Sequence, residues 1–482
     1  MKVLFIQDNG INESLALCEL SAFLKANGHE TYLLIEKEER NLLNAIARID
    51  PDLFILPCSI LAQEWTINTA EKIKGFFPKP VVLGGTYPTF YSQILNNECV
   101  DAIITGEAEG AALDICNALA GNGDFSDIAN VGYISCGKPV FNQMRPLVDD
   151  LDSLPLPDRE LYFKYSFMRD FGWKKFMSGR GCYHSCAYCY NPKIREQYRG
   201  LGSYVRRKSP QRVIDEIDDV VRRSRVSAVH FCDDLFISDD DWIREFCAIY
   251  KQQVTIPFTC NSSVDLITRD SVKALSGAGC RGIAVGLETG DESARHLIMN
   301  KCITDDQIIE ASGLIRSFGV KLITFNMIGN PGETLENALK TMELNRRINS
   351  DFIRVTFAIP IPGTQYVDYA LNIGAIDEKY SRIIPDISDL ARKGVAPVYK
   401  TAHRRQLINL YYLFAIGAKN RFLYGLARCL VRLPLTPFFR LLGLHRLFSE
   451  KKLFGLGLVE CIRYYLHVGS PYKRTTNFAS LI

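Results

Sequence analysis

The sequence predicts an α/β protein in which two series of parallel βα units follow one another and a helical region ends the chain. Short apolar runs alternate with stretches of helical length over residues 1 to about 120, and the alternation restarts near residue 174. The segment Leu154-Pro155-Leu156-Pro157 breaks both periodicities and separates the two series. Because strands that alternate with helices pair in parallel, each series is expected to build a sheet covered by helices.

The first series predicts a doubly wound domain, Rossmann-like or flavodoxin-like, over residues 1–130. A helix is expected from Ser14 to Lys25, before the turn-forming pair Asn27-Gly28. In such a domain the ligand lies at the carboxyl ends of the strands. The five predicted strands are Val3–Gln7, Tyr32–Ile35, Leu53–Pro57, Val81–Leu83 and Ala102–Ile104.

The loops after these strands are rich in small and turn-forming residues. They are Asp8-Asn9-Gly10, Cys58-Ser59, Gly84 to Thr89, and Gly106-Glu107. Glycine in such loops lets a ligand approach the backbone closely. From the loops alone two interpretations stay open: a ligand site, or tight turns in a domain that binds nothing.

The second series predicts a partial or full (β/α)6 barrel over residues 168–390, joined to the first domain by a connector over residues 131–167. Barrels of this kind place their chemistry at the carboxyl ends of the strands. The predicted strands are Ala228–Cys232, Phe258–Asn261, Gly282–Gly286, Lys321–Met327 and Phe352–Ala358, with a further strand near Lys174.

The composition is that of a globular protein, with 47% hydrophobic and 23% charged residues. The apolar run at the N-terminus is too short for a signal peptide, so a cytoplasmic location is expected. The 15 cysteines are odd in number and scattered, which argues against a secreted disulfide framework. Many of them are expected to be buried thiols, such as Cys18, Cys116, Cys247 and Cys429.

Three cysteines form the sharpest motif of the chain. Cys182, Cys186 and Cys189 follow a C-x3-C-x2-C spacing in one loop. A structural zinc site normally takes four protein ligands, whereas a cubane cluster with three thiolates leaves one iron open. His184 could serve as a fourth ligand, but it lies inside the same short loop, where packing is the simpler role. Structural zinc and a chance cluster remain the alternatives.

This cysteine loop resembles the signature of the radical S-adenosylmethionine (SAM) superfamily, including the aromatic Tyr188 before the last cysteine. The resemblance implies a [4Fe–4S] cluster on Cys182, Cys186 and Cys189, with the open iron chelating SAM. One electron, supplied by a donor such as flavodoxin or ferredoxin, then cleaves SAM to methionine and a 5′-deoxyadenosyl radical. The protein positions these cofactors and excludes competing reactions.

The same resemblance assigns further residues to the SAM site. Asp233 and Asp234 end a strand and would take the SAM ammonium, although capping of the next helix is the alternative. Glu288 also ends a strand, one residue away from the commonest glycine–glutamate spacing of the superfamily. Ser262 could reach the ribose, or simply occupy a turn. The SAM-binding residues expected from the resemblance are Tyr188, Asp233, Asp234, Ser262, Glu288, Asn326, Gly329 and Pro331.

A doubly wound domain, a Leu-Pro-x-Pro-Asp-Arg connector and a radical SAM barrel together resemble the cobalamin-binding subfamily, over residues 1 to about 390. The first loop reads Asp8-Asn9-Gly10-Ile11-Asn12 and lacks the histidine that many corrinoid domains offer to cobalt. The segment Gly84 to Thr89 is the best match to a corrinoid loop. The expected cobalamin-binding residues are Asn9, Gly10, Ser59, Gly84, Gly85, Tyr87, Pro88, Thr89, Gly106 and Glu107.

The region 391–482 is expected to be helical, apolar and basic, with 16 Lys and Arg against two Asp and Glu. It lacks the uninterrupted apolar run of about 20 residues that a spanning helix needs. Peripheral contact with an anionic membrane, at its inner face, and a helical cap over the barrel are both open interpretations. Nucleic acid is not expected, because no recognisable module is present and the rest of the chain is acidic.

Three functions are weighed. The first is a cobalamin-dependent radical SAM methyltransferase that acts on an unactivated carbon of a hydrophobic, lipid or isoprenoid substrate. The second keeps the same cofactors in a radical cyclase, oxidase or rearrangement enzyme. The third is an iron–sulfur and corrinoid-binding protein without catalysis. The sequence assigns no general acid, general base or other catalytic side chain.

Overall fold

The computed structural model describes residues 1–10, 13–60, 62–378 and 396–442. Two sheets follow one another along the chain, each with helices packed against it. A group of helices follows the second sheet. The order matches the α/β organisation expected from the two βα series.

The first sheet has seven strands in the order β2-β1-β3-β4-β5-β6-β7. The five predicted strands are present and parallel. The strand order reverses between β1 and β3, the point where doubly wound sheets open a ligand crevice. The strands are β1 Lys2–Gln7, β2 Glu30–Ile35, β3 Leu53–Pro57, β4 Val81–Gly84, β5 Ala102–Ile104, β6 Val131–Ser135 and β7 Lys138–Phe141.

The strands β6 and β7 extend the first sheet beyond residue 130, into the range that the sequence assigned to the connector. They form an antiparallel hairpin, and β6 pairs with β5. The two turn residues, Cys136 and Gly137, have φ angles of 48° and 74°. Positive φ at both positions matches the twist of a two-residue hairpin, but Cys-Gly is not the usual sequence of such a turn.

The first domain buries both faces of its sheet. Val3 and Phe5 pack in one apolar core, and Leu4 and Ile6 pack in the other. This two-sided burial explains why the strands are continuous apolar runs. The helices are α1 Leu15–Ala26, α2 Leu42–Ile49, α3 Gln63–Lys74, α4 Thr86–Phe90 and α5 Glu109–Ala120, followed in the connector by α6 Glu160–Phe163 and α7 Ser166–Asp170.

The second sheet has six parallel strands in the order β15-β14-β13-β12-β11-β8. It is the partial barrel expected from the sequence, with β8 and β15 at its edges. Its strands are β8 Trp173–Phe176, β11 Ala228–Phe231, β12 Phe258–Ser262, β13 Cys280–Glu288, β14 Lys321–Ile328 and β15 Phe352–Phe357, and the short strands β9 Gly179–Arg180 and β10 Arg206–Arg207 pair separately.

Helices connect these strands and cover the outer face of the half-barrel. Three of them begin after a threonine whose side chain caps the first turn: Thr268, Thr304 and Thr334. The helices are α8 Asn191–Gln197, α9 Pro210–Arg223, α10 Asp240–Gln253, α11 Arg269–Gly277, α12 Glu292–Leu297, α13 Asp305–Ser317, α14 Leu335–Arg347 and α15 Gln365–Asn372.

The described part of the C-terminal region is a helical cap on the β15 side of the half-barrel. It comprises α16 Arg404–Gly417, α17 Arg421–Leu430 and α18 Thr436–Leu442. Leu407 and Phe414 of α16 share an apolar core with Val355 of β15. Across the ranges that the structure describes, none of the helices has the length and apolar character to cross a membrane. The basic positions Arg446, Lys451 and Lys452 lie outside the described residues.

A chain of alternating buried charges joins the two domains. Its centre is Arg159 of the connector, which contacts Glu13 of the first domain at 2.7 Å and Glu216 of α9 at 3.1 Å. The Arg159 side chain is fully buried. The chain continues through the ion pairs Lys174–Glu13, Lys208–Glu216, Lys208–Glu19, Arg180–Glu19, Arg180–Glu109, Arg180–Glu107 and Arg206–Glu107.

Candidate functional site

The alternation of side chains along the strands defines the inner face of the half-barrel. Val229 and Phe231 of β11 pack in the outer core, so His230 between them faces inward. Val355 of β15 packs against α16, so Arg354 faces inward. The same rule places these side chains on the inner face: Trp173, Lys175, His230, Thr259, Asn261, Glu288, Phe325, Met327 and Arg354.

The cysteine loop lies between β9 and α8, where its backbone is held by neighbouring segments. Arg195 of α8 donates from Nη1 to the carbonyl oxygens of Cys182 and His184, at 3.2 and 3.3 Å. The backbone N–H of Ala187 donates to the Met299 carbonyl at 2.8 Å. These contacts hold the path of the loop.

The three predicted cluster cysteines are in electrostatic reach of one another. Burial raises the pKa of Cys182 to about 11 and that of Cys189 to about 12, and the thiols raise one another further. Burial likewise raises the pKa of Cys186. Asn191 donates from its backbone N and its Nδ2 to Cys189 Sγ at 3.5 and 3.6 Å. Three neighbouring thiols with amide donors fit an iron–sulfur cluster, whose positive irons bind the thiolates.

His184, considered from the sequence as a fourth ligand, lies with its Nε2 3.7 Å from Asp265. Its ring also contacts that of Tyr183. Within the described parts of the chain, no three His, Cys, Asp or Glu side chains form a ready group for a single metal ion.

Glu288 lies at the inner mouth of the half-barrel beside the cysteine loop. It ends β13 with a φ of 64°, a left-handed conformation that is unusual for a residue with a side chain. Its Oε1 accepts from Lys301 Nζ at 3.2 Å, and the same Nζ lies 3.4 Å from the Tyr188 hydroxyl. A β-carbon on Gly286 would overlap the Glu288 carboxylate and lie 2.8 Å from Lys301 Nζ, so a larger residue there would displace this ion pair. Backbone strain of this kind is typical of functional sites.

The two aspartates after β11 have different roles. Asp233 is buried, and its carboxylate accepts from the Ser178 backbone N at 2.9 Å and from Ser178 Oγ at 2.6 Å. Its carboxylate thus ties β11 to the end of β8. Asp234 is exposed and accepts from Asn191 Nδ2 at 3.1 Å, next to Cys189. Of the pair, Asp234 is therefore the one placed to meet a ligand at the cluster.

Asn326, predicted from the sequence to bind SAM, has a side chain that faces away from the inner side of the half-barrel. Its side chain points outward, where Nδ2 donates to the Arg354 carbonyl at 3.1 Å and Oδ1 accepts from Asn345 Nδ2 at 2.7 Å. Strand alternation accounts for this, since Leu322 and Ile328 on the same side also pack outward. Ser262 is buried and donates to the Ile237 carbonyl at 3.3 Å, a turn contact.

The loop after β14 is ordered by its own glutamate. Glu333 accepts from the backbone N–H groups of Gly329 and Asn330, and Pro331, which follows Asn330, is buried. The Tyr366 hydroxyl donates to Asn330 Oδ1 at 2.6 Å. The backbone N–H of Tyr366 also donates to a carbonyl of the cysteine loop, so this loop and the cluster loop are linked through α15.

Sequence reasoning missed three residues that complete the site: Asn191, Lys301 and Tyr366. Asn191 directly follows the cysteine motif, so its position was a usable signal. Lys301 and Tyr366 lie far along the chain, and only the fold brings them to Glu288 and Tyr188.

Part of the predicted ligand-binding edge of the first domain is accessible. Ser59 after β3 is exposed, and a β-carbon on Gly84 would meet nothing within 4 Å. Gly85 has a φ of 114°, and a β-carbon there would lie 2.9 Å from the Cys58 carbonyl oxygen. These three predicted residues border the carboxyl ends of β3 and β4.

The other predicted residues of this edge are engaged in packing. Tyr87, Pro88 and Thr89 are buried in α4. Asn9 is buried and bonds Asp8. Gly10 lies under the connector, where a β-carbon would be 3.4 Å from Met168 Sδ.

Gly106 and Glu107, predicted from the sequence to bind cobalamin, join the two domains. A β-carbon on Gly106 would overlap the Tyr198 hydroxyl, and the Glu107 backbone N–H donates to that hydroxyl at 2.8 Å. The Glu107 carboxylate pairs with Arg180 and Arg206 of the second domain. The glycine is therefore needed for the approach of Tyr198.

The carboxyl ends of the two sheets face each other. Phe90 of α4 and Tyr190 of the cysteine loop contact through their rings, with centroids 6.3 Å apart. Ile359 and Ile361, which follow β15, pack against the second apolar core of the first domain. A ligand on the open edge of the first domain would thus lie close to the three thiols.

Comparisons with known proteins agree with this geometry. Residues 176–344 match the Radical SAM superfamily. The uncharacterized methyltransferase PH0819 of Pyrococcus horikoshii is 26% identical over 339 residues, which cover 69% of this chain and 72% of that protein. TsrM from Kitasatospora setae, a radical SAM methyltransferase solved with tryptophan substrate and a SAM analogue, superposes with a TM-score of 0.63 at 16% identity, covering 77% of this chain and 75% of that chain.

A second solved structure is similar to the same extent. OxsB, a cobalamin-dependent SAM radical enzyme solved with aqua-cobalamin and SAM, gives a TM-score of 0.63 at 17% identity and covers 77% of this chain. The match covers 55% of OxsB, so this chain spans about half of that protein. TsrM has also been solved with cobalamin and a [4Fe–4S] cluster.

The half-barrel and its cysteine loop define a radical SAM enzyme. Residues 176–344 form its radical SAM domain. Its two-domain fold is that of the cobalamin-dependent neighbours OxsB and TsrM.

Proposed function

We propose that this protein is a cobalamin-dependent radical SAM methyltransferase that methylates an unactivated carbon of a hydrophobic or lipid-like substrate. One observation carries the proposal: the three thiols of the cysteine loop lie at the mouth of a half-barrel, opposite the open edge of a doubly wound domain. The name of the Pyrococcus relative supports methyl transfer.

The cluster would be held by Cys182, Cys186 and Cys189, which leave one iron for SAM. When bound and reduced, by a donor such as flavodoxin or ferredoxin, it supplies the electron that cleaves SAM. The chain's own residues bind and orient SAM. Asp234 offers a carboxylate beside Cys189, and Glu288 offers a second beside Tyr188, fixed by Lys301.

Cobalamin would lie along Ser59, Gly84 and Gly85, where the edge is open and backbone can approach a ring closely. The strand order reverses beside β3, which is where doubly wound domains bind ligands. When bound, cobalamin supplies the methyl group. The described part of the loop after β1, residues 8–10, offers no histidine to cobalt.

A cysteine variant tests the cluster assignment. Cys186→Ala is expected to lose the iron–sulfur absorption and all SAM cleavage after anaerobic reconstitution, because a cubane needs each thiolate. Cys429→Ala is the matched control and should behave as wild type, because Cys429 of α17 is exposed and not the buried thiol expected from the sequence. SAM cleavage at the wild-type rate by Cys186→Ala would contradict the assignment of the cluster to these cysteines.

Product analysis separates the enzymatic outcomes. S-adenosylhomocysteine with a product heavier by one methyl group supports the methyltransferase. Deoxyadenosine without S-adenosylhomocysteine points to a cyclase, oxidase or rearrangement enzyme. A reconstituted wild type that never cleaves SAM leaves only a binding or electron-carrying role.

A hydrophobic substrate implies that this cytoplasmic enzyme contacts the inner face of the membrane peripherally, where such a substrate would lie. Phe422 of α17 is 77% exposed and Phe438 of α18 is 57% exposed, in a region with a large basic excess. Exposed aromatic side chains among basic residues suit an anionic lipid surface.

Flotation with anionic liposomes at low salt tests this contact. Wild type should float, Phe422→Asp should float less, and Phe76→Asp, at a 67% exposed phenylalanine of the first domain, should match wild type. A wild type that stays unbound contradicts the proposal.

A further inference from the structure

The cysteine loop has an inner side and an outer side. Tyr190, at the end of the loop, contacts Phe90 of the first domain, so this part of the loop faces the domain boundary. Tyr183 and Ser185 are exposed instead. In the proposed function SAM and cobalamin would occupy the inner side. The outer side is therefore the one through which another protein can approach the three cysteines.

Neighbouring elements extend this outer side. Asn300 is exposed and donates from Nδ2 to the Ser185 carbonyl at 2.8 Å. Leu297, at the end of α12, is 85% exposed. On the other flank, Arg195 of α8 donates from Nη2 to Ser185 Oγ at 2.8 Å. The outer loop surface is defined here as Tyr183, Ser185, Arg195, Arg199, Leu297 and Asn300.

The two arginines of the outer loop surface have no acidic partner. Arg195 bonds neutral acceptors of the loop, which are the carbonyl oxygens of Cys182 and His184 and the Ser185 hydroxyl. Arg199 comes just after α8 and is exposed. Among the described residues, neither arginine lies within ion-pair distance of a carboxylate. Their charges are thus available to a partner in solution.

The carboxylates near this surface do not cancel its positive charge. Glu196 of α8 lies 3.9 Å from Lys193, so these two groups offset each other. Asp265 lies 3.7 Å from His184 and is the other carboxylate that reaches the loop. With Arg195 and Arg199 present, the cations remain in excess. An excess of one sign around an exposed patch attracts a partner of the opposite sign.

We propose that the outer loop surface docks an acidic protein that carries single electrons, such as a flavodoxin. The reduced carrier loses one electron and the cluster gains it, while no bond is formed or broken. Because electron transfer weakens steeply with distance, the carrier has to bind on the exposed side nearest to the thiolates. Interfaces of electron carriers are small and transient, so a patch of two exposed apolar side chains among cations is sufficient. The proposal rests on the proposed function, which requires this electron.

Binding of a flavodoxin tests the surface directly. Fluorescently labelled flavodoxin is titrated with full-length protein that carries its reconstituted cluster, and anisotropy gives the Kd. Wild type should bind at low salt and lose affinity as the salt concentration rises, because salt screens exposed charges. Arg199→Glu should weaken binding by about tenfold, since an attraction becomes a repulsion. Leu297→Glu should weaken it too, because it adds a negative charge within the apolar part of the patch.

Two further variants make the binding result specific. Arg48→Glu is the matched control, because Arg48 is an exposed arginine near the end of α2. That end of α2 lies beside the start of β1, where Lys2 Nζ donates to the Ile49 carbonyl, and so at the edge of the first sheet opposite the cysteine loop. Arg48→Glu and the charge-preserving Arg199→Lys should both bind like wild type. A wild type that does not bind, binding that ignores salt, or wild-type affinity in both Arg199→Glu and Leu297→Glu overturns the proposal.

Two reductants keep this proposal apart from the proposed function. Dithionite is a small reductant that needs no docking surface, so with it Arg199→Glu should cleave SAM like wild type. With reduced flavodoxin, Arg199→Glu should cleave SAM more slowly than wild type, and an equal rate below saturation would contradict the docking surface. If wild type never cleaves SAM with dithionite, the radical function is refuted, and the binding titration still decides the docking surface. Cleavage with dithionite but no flavodoxin binding refutes the docking surface alone.

Discussion

At the scale of single residues, similar side chains next to one another have different tasks. Asp233 and Asp234 share a motif, yet one carboxylate caps the end of β8 and the other meets Asn191 beside Cys189. Desolvation by the surrounding protein raises the pKa of both. The sequence could not separate them, because the choice depends on which residue faces the outer side of β11.

This division predicts opposite effects for two substitutions. Asp233→Ala should lower the free energy of unfolding by about 1–3 kcal/mol, since two Ser178 donors lose their acceptor. Asp234→Ala should change stability by less than about 0.5 kcal/mol but weaken SAM binding by about tenfold. Chemical denaturation and equilibrium dialysis with SAM measure the two quantities. Unchanged SAM affinity in Asp234→Ala would exclude it from the site.

Glu333 predicts a pH dependence of stability. Burial raises its pKa to about 7 in the folded protein. The protonated form is therefore favoured on folding, and its contribution is complete below the unfolded pKa of about 4.3 and lost as the pH rises through 7. Glu333→Gln should lose less stability than wild type between about pH 5 and pH 8. Thermal unfolding across this range measures it, with the exposed Glu310→Gln as control; parallel curves for Glu333→Gln and wild type would contradict it.

At the scale of elements, a loop of the first domain meets α8 through one glycine. Gly106 has a φ of 73°, and its missing side chain leaves room for the Tyr198 hydroxyl. Gly106→Ala should cost about 1–3 kcal/mol of unfolding free energy. Gly137→Ala is the matched control, since Gly137 has a φ of 74° and a β-carbon there would meet no atom within 4 Å.

The steric part of that cost can be isolated. In a Tyr198→Phe background the hydroxyl is absent but the ring carbon Cζ would still lie 2.8 Å from the added β-carbon, so Gly106→Ala should cost less than in the wild-type background and still more than Gly137→Ala. Denaturant unfolding of the four variants provides the comparison. Equal costs for Gly106→Ala and Gly137→Ala in the wild-type background would show that Tyr198 is not the reason for the glycine.

The elements also show what a sequence can predict. Buried parallel strands were predictable because their apolar runs are continuous, and β1 to β5 confirm it. The β6–β7 hairpin was missed because its edge strands are half-exposed and Cys136-Gly137 is a rare turn pair. The cysteine motif could be predicted because its three residues are close in sequence. The direction of the Asn326 side chain could not, because it depends on which face of β14 packs against α14.

At the scale of the whole molecule, the buried charges around Arg159 hold the domains together. Arg159 has carboxylates on both sides, and removing it would leave Glu13 and Glu216 with one cation each, Lys174 and Lys208, in a buried setting. Arg159→Met should therefore lower the unfolding free energy by about 3–5 kcal/mol. Arg223→Met, which breaks the exposed pair with Glu160, should cost less than about 1 kcal/mol. Similar costs for the two would mean that the network contributes little.

The contact between Phe90 and Tyr190 limits how the chain can vary. Loops on protein surfaces usually tolerate insertions. Here Phe90, which follows β4, and Tyr190, which follows the last cysteine, are in ring contact across the domain boundary, so we expect a longer loop on either side to disturb that contact. A residue inserted between Gly85 and Phe90 would shift Tyr190, which directly follows Cys189. The two loops therefore have to be altered together in any attempt to re-engineer this enzyme.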